Sequence, residues 1–234
     1  LIYLIGQYAA ISIVLVWIFA IPHWQALLIS GVIIIAYTVI GGLYAVSWTT
    51  LFQGGILILG VLAMAPFVIR SAGGLTHINT VLAGIDPNFV EPWFPSPAYA
   101  SYAYATPEFL FSFAILLMVG LACAPHVINN VLAAKESRYF KWSPLVAFGI
   151  YAVVMFLVKF TGFATRVLVE EGAVALPDVV NAQDYAFIVG VEYAMPNMFL
   201  WGIFAVIVLA AVMSTTDRLM LTIGTSFSLC LLHI

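Results

Sequence analysis

A cluster of oxygen-bearing side chains interrupts an apolar helix near the end of the chain. The sequence at 213–217 is Met-Ser-Thr-Thr-Asp, inside a run from Trp201 to Thr225 that is long enough to span a membrane. An unpaired polar group in hydrocarbon costs several kcal/mol, so an ionisable residue inside a membrane helix is a candidate functional residue. Hydroxyl and carboxylate oxygens are the ligands that a hard cation such as Na⁺ or Ca²⁺ prefers. One interpretation is therefore a cation site among Ser214, Thr215, Thr216 and Asp217.

A second interpretation of the same hydroxyls needs no ligand. Serine and threonine in membrane helices often donate a hydrogen bond to a backbone carbonyl one turn earlier, at little cost. This explanation is sufficient for a single hydroxyl. Three consecutive hydroxyls followed by a carboxylate point to different sides of a helix, so they do not all face lipid comfortably. Both interpretations remain open from the residues alone.

A proline breaks a second apolar segment. The sequence at 120–126 is Gly-Leu-Ala-Cys-Ala-Pro-His, and the proline removes an N–H and clashes with the preceding turn. We predict a kink or a break between Gly120 and Pro125. Backbone groups freed at membrane depth must be buried in protein or line a cavity. The candidate ligand-binding residues here are Gly120, Leu121, Ala122, Pro125 and His126. A proline kink without any ligand is also common in membrane helices, and both interpretations remain open from this segment alone.

Two further charged groups lie within apolar segments. Lys159 lies about sixteen residues into the fifth apolar segment. It either snorkels to the membrane edge or acts as an ion-pair partner or ligand contact. Asp217 and Arg218 are adjacent in sequence, so their side chains point about 100° apart on a helix and need not pair with each other.

The composition defines the class of protein. Of 234 residues, 65% are apolar and 7% are charged, whereas soluble domains carry about a quarter charged residues. The chain is therefore an integral membrane protein, with the lipid bilayer as its partner. Its net charge is −3 and it has no long basic run, so nucleic-acid binding is not indicated. The four histidines and two cysteines show no metal-site spacing and no catalytic pattern, so an enzyme is the weaker expectation.

Six segments are long enough to be spanning helices. A helix needs about 20 apolar residues to cross a bilayer. The predicted segments are Leu1 to Ile21, Ala26 to Ile40, Leu51 to Ile69, Phe109 to Val131, Ser143 to Val167 and Met198 to Leu221. They form a single transmembrane domain over 1–234. Because the chain starts without Met and both ends lie in or close to apolar runs, we expect a fragment truncated at both ends.

Basic residues predict the orientation of these segments. Lys135, Arg138 and Lys141 lie in one short connection, which we expect to be cytoplasmic. The connections 71–108 and 168–194 contain acids and no Lys or Arg, so we expect both to be external. The turns near His23 and Ser47 then lie outside and inside, respectively. The proline-rich and aromatic connection 71–108 is predicted to be an extracytoplasmic loop, either a cap on the outer face or an ordered loop.

Three segments resemble the sodium/solute symporter family. They are YTVIGGLYAVSWTTLFQG at 37–54, APHVINNVLAAKESR at 124–138 and LAAVMSTTDRLML at 209–221. Their order and spacing also agree with the family. Within the family, the sodium/pantothenate branch is most similar in the sequence of the Gly-Gly segment, in the Pro-His pair and in the long external loop.

The resemblance implies a fold and a function. The fold is an all-α transmembrane bundle of ten core helices in two inverted repeats (the LeuT type), of which this chain holds core helices three to eight. The function is symport of a small organic solute with a co-transported sodium ion across the bacterial cytoplasmic membrane. Sodium is expected at the Ala211 carbonyl and at the hydroxyls of Ser214 and Thr215, together with the absent first core helix. The solute would lie beside it, against the broken sixth core helix.

Departures from the family pattern leave alternatives. The family commonly has Asp where this chain has Thr50, which puts in doubt a second sodium site or an exit-path carboxylate. Thr50, Asp217 and Lys159 are therefore candidates for an ion path or gate. The solute is expected to be a carboxylate such as pantothenate, or alternatively another monocarboxylate or an amino acid such as proline. A membrane sensor or enzyme component without coupled transport is the alternative from another class. Solute, stoichiometry and oligomeric state do not follow from the sequence.

Overall fold

The computed structural model describes residues 2–90, 106–132, 136, 138–179, 182–195 and 197–232. Helices account for nearly all of these residues, and no strand occurs among them. The helices are α1 (Ile2–Phe19), α2 (His23–Ser71), α3 (Gly74–Ile85), α4 (Pro107–Ala122), α5 (Pro125–Leu132), α6 (Arg138–Glu170), α7 (Ala186–Ala194) and α8 (Met198–Leu232). Two short 3₁₀ turns lie at Pro87–Val90 and Ala182–Tyr185. The fold is all-α, as the uniformly apolar segments predict.

Four of the described helices are long and apolar enough to cross a membrane: α1, α2, α6 and α8. Their outward surfaces carry large apolar side chains, for example Val39 at 76% and Phe148 at 72% exposure. A soluble protein does not expose so much contiguous apolar surface. In a bilayer these side chains contact lipid, so the exposed apolar surface confirms an integral membrane protein.

α2 contains the second and the third predicted segments within one helix of 49 residues. Its backbone leaves the helical region at Gly42, with φ 55° and ψ −156°, which divides it into a first arm before Gly42 and a second arm after it. Glycine adopts a positive φ without the steric cost of a Cβ. The turn expected around Ser47 is therefore misplaced, because Ser47 is helical and the bend lies five residues earlier.

The fourth predicted segment is broken, as the proline suggested. α4 ends at Ala122 and α5 begins at Pro125, so Cys123 and Ala124 separate them. Pro125 occupies the first position of the new helix, where a missing N–H costs nothing. The predicted interruption between Gly120 and Pro125 is confirmed. Cys123 is a free, exposed cysteine, as is Cys230.

The connection predicted at 71–108 includes a helix. α3 follows α2 after Gly73, which has φ 81°, and packs its buried Ile78 and Leu82 against the helical bundle. The aromatic stretch at 91–105 lies outside the described residues. The external location of 71–108 and the assignment of 1–234 to one transporter domain remain predictions.

The hydrophobic core lies where α1, α2, α3, α6, α7 and α8 meet. Its fully buried members include Val68, Ile78, Val167, Val191 and Phe204. Since lipid tails are as apolar as these side chains, close packing rather than water exclusion holds such helices together. Gly60 shows how close this packing is, because a Cβ added there would meet the side chain of Ile207 on α8.

Candidate functional site

α8 runs from the hydrophobic core into a polar cluster. Phe204 and Ile207 are buried in the core, and the polar residues 214–218 follow two to three turns later on the same helix. Thr216 and Asp217 are both 0% exposed, whereas Ser214 and Thr215 are half-buried. α2 and α1 pack against α8, and the Thr216 and Asp217 side of this stretch is covered by protein.

The Ser214 hydroxyl lies beside the carbonyl of its own helix. Ser214 Oγ donates to the Ala211 carbonyl oxygen at 2.8 Å, and Thr216 Oγ1 donates to the Val212 carbonyl at 2.9 Å. This is the pattern of the ligand-free interpretation. A hydroxyl that donates its hydrogen keeps its oxygen lone pairs, and Ser214 Oγ and the Ala211 oxygen therefore stay available as two adjacent cation ligands. The hydrogen bond is compatible with both interpretations.

Thr215 differs from its neighbours. Its hydroxyl makes no hydrogen bond with any residue that the structure describes, and the side chain is half-buried. Ala211 is also half-buried on the same helix. The three residues expected to bind sodium thus lie close together along one turn of α8. Among the described residues, no three His, Cys, Asp or Glu side chains converge, so an ion here would depend on hydroxyl and carbonyl oxygens.

Asp217 is held by the first arm of α2. The Tyr37 hydroxyl donates to Asp217 Oδ1, although 180 residues separate the two in sequence. The second oxygen, Oδ2, is buried without a hydrogen-bond partner. Three other buried polar atoms also lack partners on α1 and α2: Tyr8 Oη, Thr38 Oγ1 and Gln53 Oε1. Tyr37 was missed in the sequence interpretation of the site; the signal available was a polar aromatic inside the family-like segment.

Arg218 connects α8 to the second arm of α2. Its Nε donates to Thr50 Oγ1 at 3.4 Å, while the Thr50 hydroxyl donates to the Val46 carbonyl at 2.7 Å. Asp217 and Arg218 therefore contact opposite sides of the bend at Gly42 and do not pair with each other. Thr50, a predicted candidate for an ion path or gate, lies directly beside the guanidinium.

The residues predicted to bind solute are only partly associated with α8. Gly120 has no neighbour within 4 Å of an added Cβ, and Ala122 and Pro125 are exposed. The side chain of Leu121 lies outside the description. His126 is half-buried, with its ring centroid 6.3 Å from that of Tyr3 on α1, and α5 packs against α8. Of the predicted solute-binding residues, Pro125 and His126 therefore lie on the helix that contacts α8.

Lys159 is not part of this cluster. Its side chain is exposed on α6, which packs against α2, α3 and α7. No ion pair involves Lys159 among the described residues. An exposed lysine on a spanning helix is what snorkelling produces.

The chain belongs to the Sodium:solute symporter family, whose model matches residues 1–231. It is 27% identical over 201 residues to the sodium/pantothenate symporter of Escherichia coli (strain K12), covering 86% of this chain and 38% of that protein. It is 25% identical over 223 residues to the sodium/proline symporter of Haemophilus influenzae, covering 90% of this chain and 40% of that protein.

These comparisons cover only part of the relatives. A second sodium/pantothenate symporter, from Haemophilus influenzae, is 26% identical over 84% of this chain and 38% of its own length. The chain thus spans about two fifths of the curated relatives that it matches. No solved structure matches it. The match over 1–231 confirms the expected family. The bacterial relatives and the long apolar helices support the cytoplasmic membrane as its location.

Proposed function

We propose that the full-length protein is a sodium-coupled symporter of a small organic solute that works by alternating access. The observation that carries this proposal is the partly buried hydroxyl cluster on α8 in a chain that matches the symporter family over 1–231. The paired oxygens of Ser214 and Ala211 and the unpartnered Thr215 hydroxyl are the ligand types that a hard cation needs.

The co-transported ion binds at the Ala211 carbonyl and at the hydroxyls of Ser214 and Thr215. Sodium must exchange most of its water shell for protein oxygens, and this helix supplies three. The remaining ligands come from parts of the full-length protein that this chain does not contain. Binding of ion and solute at neighbouring sites makes their affinities interdependent, and such coupling is reciprocal.

The solute binds on the α5 side of α8, near the break between α4 and α5. His126 lies at the beginning of α5, and the interruption frees backbone groups that an apolar helix would otherwise bond internally. We propose a carboxylate such as pantothenate as the solute, because two relatives carry that name. An amino acid such as proline is the second candidate, supported by the sodium/proline relative.

Asp217 and Thr50 serve as gating residues in this proposal. The Tyr37–Asp217 and Arg218–Thr50 hydrogen bonds join α8 to both arms of α2. Any movement of α8 that releases the ion must break or rearrange these bonds. Lys159 contributes to neither bond, and its exposed position supports a role at the membrane edge rather than in the ion path.

A sensor or enzyme component without coupled transport is the alternative from another class. Its support is Thr50, which replaces the acid common in the family. In that case the fold would bind a solute while ion coupling is lost.

Uptake by the full-length protein in membrane vesicles tests these proposals. Labelled pantothenate should accumulate with an inward sodium gradient and should not accumulate when potassium replaces sodium. Competition by unlabelled proline or a short monocarboxylate identifies the alternative solutes. Solute binding without sodium-dependent accumulation would support the sensor alternative instead.

A further inference from the structure

We propose that a groove between α2, α3 and α6 binds one anionic phospholipid, with the lipid phosphate on Arg70. The groove has a volume of about 410 Å³, within the range of about 300 to 1,000 Å³ of known ligand sites. Its lining includes one charged side chain, that of Arg70, and five apolar ones: Pro66, Ile69, Leu75, Phe156 and Leu157. This inference is independent of the transported solute and ion.

The charge of Arg70 is the first argument for this occupant. Arg70 is the basic residue in the last turn of α2, and its side chain is exposed. Two basic groups on the flanking helices α3 and α6 have acidic partners: Arg166 pairs with Glu170 at 3.0 Å, and His77 contacts Glu171 at 2.7 Å. Arg70 makes no ion pair or side-chain hydrogen bond with any residue in the described ranges. Its guanidinium is therefore free to bind a phosphate in two-point geometry.

The position and the walls of the groove are the second argument. Arg70 lies one residue before the end of α2, directly after the predicted apolar segment that ends at Ile69. Phe156 is 51% exposed on α6 and forms part of the same groove. A phospholipid matches this arrangement, because its anionic phosphate lies at the headgroup level and its acyl chain extends along the apolar wall. A long arginine side chain near the end of a spanning helix can extend to the headgroup level, where the lipid phosphate lies.

Lys159 fits this assignment as well. It lies one turn beyond Phe156 on α6, so both side chains point to a similar side of the helix. Its exposed ammonium adds a second positive charge on the face of α6 that borders the groove. A lipid with net negative charge is therefore preferred to one whose phosphate is balanced by an ammonium.

Native mass spectrometry of the detergent-purified full-length protein tests the proposal. The probe is dioleoylphosphatidylglycerol, with the zwitterionic dioleoylphosphatidylcholine as the comparison lipid. Arg70→Gln should weaken retention of the first phosphatidylglycerol by about threefold to tenfold, as expected for one charged hydrogen-bonded contact. The matched control is Lys141→Gln, which removes an exposed positive charge on α6 that does not line the groove.

A filling variant separates the groove from simple charge attraction. Leu75→Trp keeps Arg70 and occupies space in the groove, and Leu75 is 43% exposed, so the larger side chain is accommodated at the surface. It should also weaken the first phosphatidylglycerol. Equal effects of Arg70→Gln and Lys141→Gln, or no effect of either groove variant, would overturn the proposal. A photoactivatable phosphatidylglycerol should label the segments 66–75 or 153–160, and labelling confined to other segments would overturn it too.

Discussion

Asp217 shows what a single buried residue contributes at this site. It is fully buried in an apolar bundle, accepts one hydrogen bond from Tyr37 and leaves its second oxygen unpartnered. Burying a carboxyl group without full hydrogen bonding is costly. Such a residue is expected where function and not stability determines the side chain, which supports its assignment to the gate.

The hydroxyl pair gives the first prediction. Replacing Ser214 and Thr215 together by Ala in the full-length protein should weaken apparent sodium affinity by tenfold or more, because each lost oxygen partner costs about 1–3 kcal/mol. Sodium-dependent solute uptake at varied sodium concentration measures this, with protein abundance measured alongside. Solute affinity should fall as well, because the coupling is reciprocal.

The control for this pair is Thr225→Ala. Thr225 is exposed on the same helix and donates to the Leu221 carbonyl at 2.9 Å, so its removal deletes a hydroxyl outside the proposed site. Its sodium dependence should equal that of the unmodified protein. If the double variant shows unchanged sodium dependence too, the hydroxyls only bond to their own helix.

The hydrogen bond to Asp217 gives the second prediction. Tyr37→Phe removes the hydroxyl and leaves a buried carboxylate oxygen without its donor, so stability should fall by about 1–3 kcal/mol. Thermal unfolding of the purified full-length protein measures the loss. Tyr44→Phe is the matched control, since Tyr44 is 77% exposed on the same helix. Equal melting temperatures for both variants would show that the Tyr37 bond contributes nothing.

At the scale of the helix, the contact between Gly60 and Ile207 gives the third prediction. Gly60→Ala places a methyl group inside the space of the branched Ile207 side chain, so overpacking should destabilise the protein by about 1–3 kcal/mol. Gly55→Ala on the same arm meets nothing within 4 Å and should be neutral or slightly stabilising because alanine favours helix. Thermal unfolding compares the two, and a more stable Gly60→Ala variant would contradict the packing argument.

Most helices could be predicted from the sequence, because a long apolar run needs no tertiary information to be recognised. The break before Pro125 followed from the chemistry of proline. The turn predicted near Ser47 was misplaced, because the chain bends at Gly42 instead. Two adjacent glycines suit a bend and close helix packing equally well, so the sequence did not decide between them. The pairing of Tyr37 with Asp217 was not predictable, because it depends on how α2 and α8 pack, and neither residue's local sequence specifies its partner.

At the scale of the whole molecule, sidedness gives the fourth prediction. Single cysteines at Ser137 and Ala173, in the full-length protein without its native cysteines, should react with a membrane-impermeant thiol reagent from opposite sides. The reason is the excess of Lys and Arg near 135–141 and their absence from 168–194. Ser137 lies outside the described residues, and Ala173 is exposed after α6. Labelling of both from the same side would contradict the predicted orientation.

The tight contact at Gly60 also holds one point of α8 in place, so a tilt about that point displaces the distant end of the helix. Ile207 is fixed between closely packed helices, whereas Asp217 lies ten residues further on, about 15 Å along the axis at the usual helical rise. A tilt of about 10° around Ile207 therefore moves Asp217 by about 2.6 Å on this geometry. That displacement exceeds the tolerance of a hydrogen bond. A small tilt at the closely packed end would therefore be enough to break the Tyr37–Asp217 hydrogen bond at the other end.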